Sequence, residues 1–243
     1  MPEESQQELS SHDEKELRQK QKEEEREKQR QAAAALNNKQ AMKGYLKWGV
    51  LAAAIVLLVY TVPGLFKPAE PLTIGNYPWF GPADSKVEFI IFGDFQCPFT
   101  KKFFLNTYPK IAEEYKEKIK ISFRPMPTNR HANDRLSAQA AYCANDQGKF
   151  WEYAQIVFER QGRADTMSLI GYANELELDG KTFGECMQTS KYSDKVNADF
   201  KQGRKYGVSI TPTVFVNGNQ LYGDLPFEEY KKLVDWTITQ MEA

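Results

Sequence analysis

The feature that most constrains this chain is the stretch FGDFQCPFTKKFF, from Phe92 to Phe104, with Cys97-Pro98-Phe99-Thr100 at its centre. An apolar run from Val87 to Phe92 precedes it and a helical pattern follows, so Cys97 falls where a strand hands over to a helix. Proline suits the first position of a helix, because its missing N–H costs no hydrogen bond there and its fixed φ presets the backbone. Unpaired N–H groups and the helix dipole at such a terminus favour negative charge, and the thiolate is the form of cysteine that attacks sulfur. The segment reads as a nucleophile site on an α/β scaffold. The competing reading is a small, buried cysteine without chemistry.

Taken with Ile210-Thr211-Pro212-Thr213, this segment resembles the DsbA-like branch of the thioredoxin superfamily, over roughly Leu72 to the C-terminus. In that family C-P-x-C opens the first helix, and a Thr-Pro pair before a strand supplies a cis-proline loop beside it. The resemblance implies an α/β, thioredoxin-like fold with a helical insertion. It also implies an oxidoreductase that exchanges thiols and disulfides with cysteine-containing protein substrates and calls for no cofactor. Cys97 and Thr100 take the catalytic positions. Pro98, Phe99, Thr211 and Pro212 take the substrate-binding ones, with Pro212 expected cis and Thr211 offering backbone groups to an extended substrate segment.

Two positions depart from the family. Thr100 stands where the second cysteine is usual, and Ile91 stands where a buried carboxylate usually accepts that cysteine's proton. Both departures fall on the same half-reaction, so the expectation is a single-cysteine mechanism of reductase or isomerase type and not a dithiol oxidant. Thr100 can donate a hydrogen bond to the Cys97 sulfur, or it merely fills the space of a thiol. Phe99 supplies no charge where strongly oxidising relatives place a histidine. An attacked substrate would stay joined to Cys97 until a thiol arrives from the substrate, a small molecule or a membrane redox partner. Two other function classes stay open. One is a non-catalytic, chaperone-like peptide-binding module. The other is a thiol peroxidase using a Cys97 sulfenate, for which a Thr-x-x-Cys order and an obvious resolving cysteine are lacking.

Composition limits the alternatives. A chain of 243 residues with 41% hydrophobic content can bury a core, and a formal net charge of -1 gives no basic surface for nucleic acid. Its 3 cysteines are too few for a disulfide scaffold and wrongly spaced for zinc. With His12 and His131 as the histidines, a His-based metal site or triad is not expected. His131 reads as a loop or cap residue and Asp94 as a turn former. For Cys143 and Cys186 the family resemblance implies a structural disulfide; two buried free thiols, or one remote resolving cysteine, are the alternatives.

Along the chain, residues 1–45 form a charged tail whose Glu and Lys pairs at i,i+4 support a solvated helix without an apolar stripe. Residues 46–66 include a stretch free of charge from Trp48 to Phe66, long enough for a transmembrane helix, with a cleaved signal peptide as the competing reading. Lysines and arginines crowd its N-terminal flank. The positive-inside rule then makes the span a signal-anchor in the cytoplasmic (inner) membrane, with the tail inside and the domain outside. Residues 67–85, rich in Pro and Gly, read as a linker, and 86–243 as the DsbA-like domain with its helical insertion at about 130–206. Strands are expected at Lys86–Phe92, Ile119–Phe123 and Thr213–Asn217, the last turning at Asn217-Gly218 into a partner. Phe227, Tyr230, Val234, Ile238 and Met241 would form the buried face of a closing helix.

Overall fold

A strand apolar on both faces must be covered on both sides, and Glu88–Gly93 (β2) is such a strand from Phe89 onward. In the computed structural model Phe89 and Ile91 point into one core while Ile90 and Phe92 enter a second, smaller one on the opposite face. The described residues are 20, 22, 24–31, 42, 45, 47–54, 57 and 71–242. They belong to two units, Met1–Ala69 and Glu70–Ala243.

In the second unit five strands make one sheet in the order β1-β3-β2-β4-β5. These are Trp79–Phe80 (β1), β2, Lys120–Pro125 (β3), Thr213–Val216 (β4) and Asn219–Tyr222 (β5). β2 and β3 run parallel with Ile91 opposite Phe123; the other pairings are antiparallel, and Ile91 faces Val214 across β2 and β4. The turn between β4 and β5 uses Asn217 and Gly218 at φ 46 and 87, the pair of positive values that a tight hairpin needs.

The helix after β2 runs as Pro98–Lys102 (α1), a π-helical turn Phe103–Thr107, and Tyr108–Tyr115 (α2). Pro109 sits in the second helical position of α2 and is absorbed without ending the helix. The Tyr108 N–H bonds the Phe103 carbonyl five residues back, and the wider turn accommodates the missing N–H of the proline that follows. The insertion contributes Asp134–Asn145 (α3), Phe150–Glu159 (α4), Thr166–Glu175 (α5), Gly180–Gln188 (α6) and Ser193–Lys205 (α7). Its buried faces, including Ala140, Phe150, Tyr153, Phe158, Leu169 and Phe183, join the larger core. Phe227–Glu242 (α8) closes the fold over Tyr230 and Val234. Met241, expected on that face, is 40% exposed, and Thr237 is buried in the last turns instead, its hydroxyl donating to the Leu233 carbonyl at 2.7 Å.

A buried polar group secures the smaller face. Arg124 on β3 donates to Gln202 Oε1 at 3.0 Å and to the Thr73 and Ile74 carbonyls, with its guanidinium 4.0 Å from the Tyr77 ring centroid. Asp199 accepts from Tyr77 and Tyr142 at 2.6 and 2.5 Å. Burial, reinforced by Asp199, pushes the Tyr142 phenol well above its ordinary range. The segment before β1 is thereby tied to α7 and the sheet.

The membrane-spanning helix expected over 46–66 is corrected. Among the described residues no helix is long and apolar enough to cross a membrane. Residues 46, 55, 56 and 58–66 of the expected span lie outside the described residues. The signal-anchor topology, the membrane-anchored partnership and the inner-membrane location rested on that helix and fall with it. In the tail, residues 24–31 are helical and exposed; 1–19 and 32–41 lie outside the described residues.

Candidate functional site

β2 ends at Gly93, where a Cβ would come within 2.5 Å of the Phe123 ring and 2.7 Å of Thr100 Cγ2, so only glycine lets α1 pack this closely on the sheet. The loop that follows is tied by Asp94. Its carbonyl accepts from the Cys97 N–H at 3.1 Å and its Oδ1 from the Gln96 N–H at 2.9 Å. Cys97 is thereby delivered to the N-cap of α1 with Pro98 behind it.

Cys97 is the free cysteine, only 6% exposed, and its Sγ donates to the Thr211 carbonyl at 3.3 Å. Thr211 precedes Pro212 through a cis peptide bond, and Thr213 closes that loop by donating from Oγ1 to the Ile210 carbonyl at 2.7 Å. Cys97 and the Thr-Pro loop, 114 residues apart, thus meet at the mouth of one cavity. Its volume is about 490 Å³, and Cys97, Pro98, Phe99, His131, Ile210 and Tyr222 are among its lining residues. Phe99, Ile210 and Tyr222 are exposed around it, which gives the opening an apolar rim.

Thr100 lies fully buried one turn into α1, and its Oγ1 has no hydrogen-bond partner. It therefore does not donate to the Cys97 sulfur; its methyl packs toward Gly93 instead. Ile91 is 0% exposed within the larger apolar core. Cys143 on α3 and Cys186 on α6 are joined by a disulfide with Cα atoms 5.9 Å apart, away from the cavity.

Several contacts at the site escaped the sequence reading because they join distant segments. Gln161, after α4, donates to the carbonyls of Phe95 and Cys97 at 2.9 and 3.0 Å. Gln96 reaches into the insertion through Ser137 Oγ at 3.0 Å and the Gly162 N–H at 3.3 Å. These bonds brace the cysteine loop against the helical domain. Asp94, only 1% exposed, also accepts from the Thr128 hydroxyl at 2.8 Å and lies 3.0 Å from His131 Nδ1.

Asp94, His131 and Asp134 bring their donor atoms within 4.8 Å of one another. The carboxylates are already taken by protein donors: Thr128 and Gln96 on Asp94, and the Asn129 and Arg135 N–H groups on Asp134. Burial and the adjacent Asp94 push the Asp134 carboxyl up. The cluster is a hydrogen-bonded brace, and we assign it no metal.

Comparison with known proteins places this geometry. The family profile described as Thioredoxin matches residues 73–236. The chain is 25% identical over 172 residues to disulfide bond formation protein D of Bacillus subtilis, covering 67% of this chain and 78% of that protein. It is 32% identical over 151 residues to Na(+)/H(+) antiporter NhaA 1 of Salinispora arenicola, but spans only 22% of the antiporter's length. Among solved structures, oxidised BdbD from Bacillus subtilis superposes with a TM-score of 0.64 at 23% identity, over 70% of this chain and 96% of that one. The alpha-DsbA1 of Wolbachia pipientis gives 0.63 at 21% identity, over 70% and 94%. At these identities the structural likeness speaks for the fold.

Proposed function

The chain belongs to this thioredoxin family, and on that premise we propose that it exchanges thiols and disulfides on cysteine-containing protein substrates through Cys97 alone. The observation that carries the reading is the position of the Cys97 sulfur, held at the N-cap of α1 against the Thr211 carbonyl and beside an open, apolar-rimmed cavity. The cavity beside Cys97, about 490 Å³, gives a substrate segment room to reach the sulfur. Similarity to a Bacillus subtilis protein named for disulfide bond formation supports the same class of reaction.

The thiolate of Cys97 attacks one sulfur of a substrate disulfide; a bond forms between them, the substrate S–S bond breaks, and the displaced sulfur leaves as a thiolate that takes up a proton. Thr100 cannot then attack the mixed disulfide, so an external thiol, or a second thiol of the substrate, must resolve it. This is exchange of reductase or isomerase type. In the test, a disulfide-bonded peptide is mixed with the protein and the adduct followed by intact mass. An adduct on Cys97 that persists until a thiol is added is expected; no adduct at any peptide concentration would overturn the reading.

The apolar rim of Phe99, Ile210 and Tyr222 favours a second reading, a peptide-binding or chaperone-like module without turnover. Peptide binding that survives Cys97→Ser, together with an absent adduct in the native chain, would select it.

A further inference from the structure

An exchange through one cysteine leaves a proton unaccounted for. The resolving thiol arrives from solvent as R–SH and must lose its proton beside the mixed disulfide, yet neither Thr100 nor Ile91 can receive it. Among the side chains lining the Cys97 cavity, Arg130 offers donors and no acceptor, Asp224 is held by Lys102 at 2.7 Å, and Tyr222 is bonded to Gln220. His131 remains. Its Nδ1 lies 3.0 Å from Asp94 Oδ2, and its ring is 31% exposed on the same cavity.

Asp94 is built to orient that ring. The carboxylate is buried and fixed by the Gln96 N–H on one oxygen and by Thr128 on the other. An acceptor so held keeps a proton on Nδ1 and leaves Nε2, which has no hydrogen bond among the described residues, as the basic nitrogen. Asp94 also carries the Cys97 N–H on its carbonyl, so one residue sets both the nucleophile loop and the imidazole.

We propose that His131 is the proton-transfer residue of the exchange at Cys97, with Asp94 positioning it. The inference rests on the single-cysteine reading above. In the resolving step the incoming thiol gives its proton to His131 Nε2. Its sulfur attacks the substrate sulfur of the mixed disulfide, and a new S–S bond forms as the bond to Cys97 breaks. Cys97 leaves as a thiolate and the proton passes back from His131. One disulfide replaces another, and no outside oxidant or reductant enters.

The test measures decay of a preformed Cys97–peptide disulfide in the full chain, using 2-mercaptoethanol as an alkyl thiol and thiophenol as an aromatic one already ionised at neutral pH. His131→Gln should slow the alkyl reaction about tenfold, below the usual range for general bases because thiols ionise partly unaided. The thiophenol reaction should slow far less. His131→Ala should lose the same factor and regain most of it with added imidazole, a response that a purely structural role would not give. Asp94→Asn should slow the alkyl reaction without imidazole rescue. Equal slowing with both thiols, no slowing in either His131 variant, or an alkyl defect in His131→Ala that imidazole leaves untouched would overturn the role of His131. Failure of the native chain to form the adduct would instead remove the single-cysteine reading itself.

Discussion

The chain sets its cysteines in two opposite surroundings. Cys143 and Cys186 face each other inside the helical insertion, where the bond between α3 and α6 closes a 43-residue separation in the larger core. Cys97 is nearly as buried, yet its sulfur meets a backbone carbonyl at the edge of a cavity and has no partner thiol. Burial alone does not separate the bonded sulfurs from the free one. The difference lies in what the sulfur faces: another sulfur in one region, an open groove beside a helix N-terminus in the other.

Removing each sulfur in turn would sharpen this contrast. Cys97→Ser should abolish adduct formation altogether while moving the melting temperature little, read by intact mass and thermal unfolding. Residual adduct on Cys143 or Cys186 would break the division of labour. Cys143→Ser with Cys186→Ser should lower stability by about 4 kcal/mol in the loop-closure picture, measured by urea denaturation, with the Cys97 adduct still forming in the folded fraction. A loss below about 1 kcal/mol would mean that the insertion is held by its apolar core without the bridge.

The groove side offers a test through pH. Tyr230 is buried against Phe89 and Phe103, and its hydroxyl donates to the Gly223 carbonyl at 2.7 Å on the cavity rim. Burial raises its phenol from 10.0 to about 12. The neutral form is the one the fold favours, so this contribution is intact below pH 10 and is lost as pH rises toward 12. Urea midpoints taken between those limits should fall less steeply for Tyr230→Phe than for the native chain; equal slopes would place the alkaline loss in other tyrosines, such as Tyr142.

The smallest effect is expected at Thr100. Its buried hydroxyl has no partner, so Thr100→Val should be neutral or stabilise by up to about 1 kcal/mol. Clear destabilisation would show that the hydroxyl finds a partner in solution.

Much of this architecture follows from short-range rules. The apolar run of β2, the proline after Cys97 and the Asn217-Gly218 hairpin each depend on neighbours within a few residues, and the backbone obeys them. The buried faces of α3, α4 and α5 were legible for the same reason, since helical spacing collects Ala140, Phe150, Tyr153 and Leu169 toward one core. Hydropathy from Trp48 to Phe66 shows where that kind of rule stops: a charge-free run measures composition, and among the described residues no helix is long and apolar enough to cross a membrane.

What the sequence determined by itself was the local grammar of the site: a cysteine opening a helix after a buried strand, and no second thiol at position 100. Tertiary structure alone decided the rest. Cys97 meets Thr211 across 114 residues, Gln161 braces the Cys97 carbonyl across 64, and Asp94 takes up His131 across 37. Thr100 finds its hydroxyl alone for the same reason, since the polar groups that could satisfy it are placed by sheet order and helix packing. Periodicity fixes which way a side chain points, but which groups it meets depends on how distant segments are brought together.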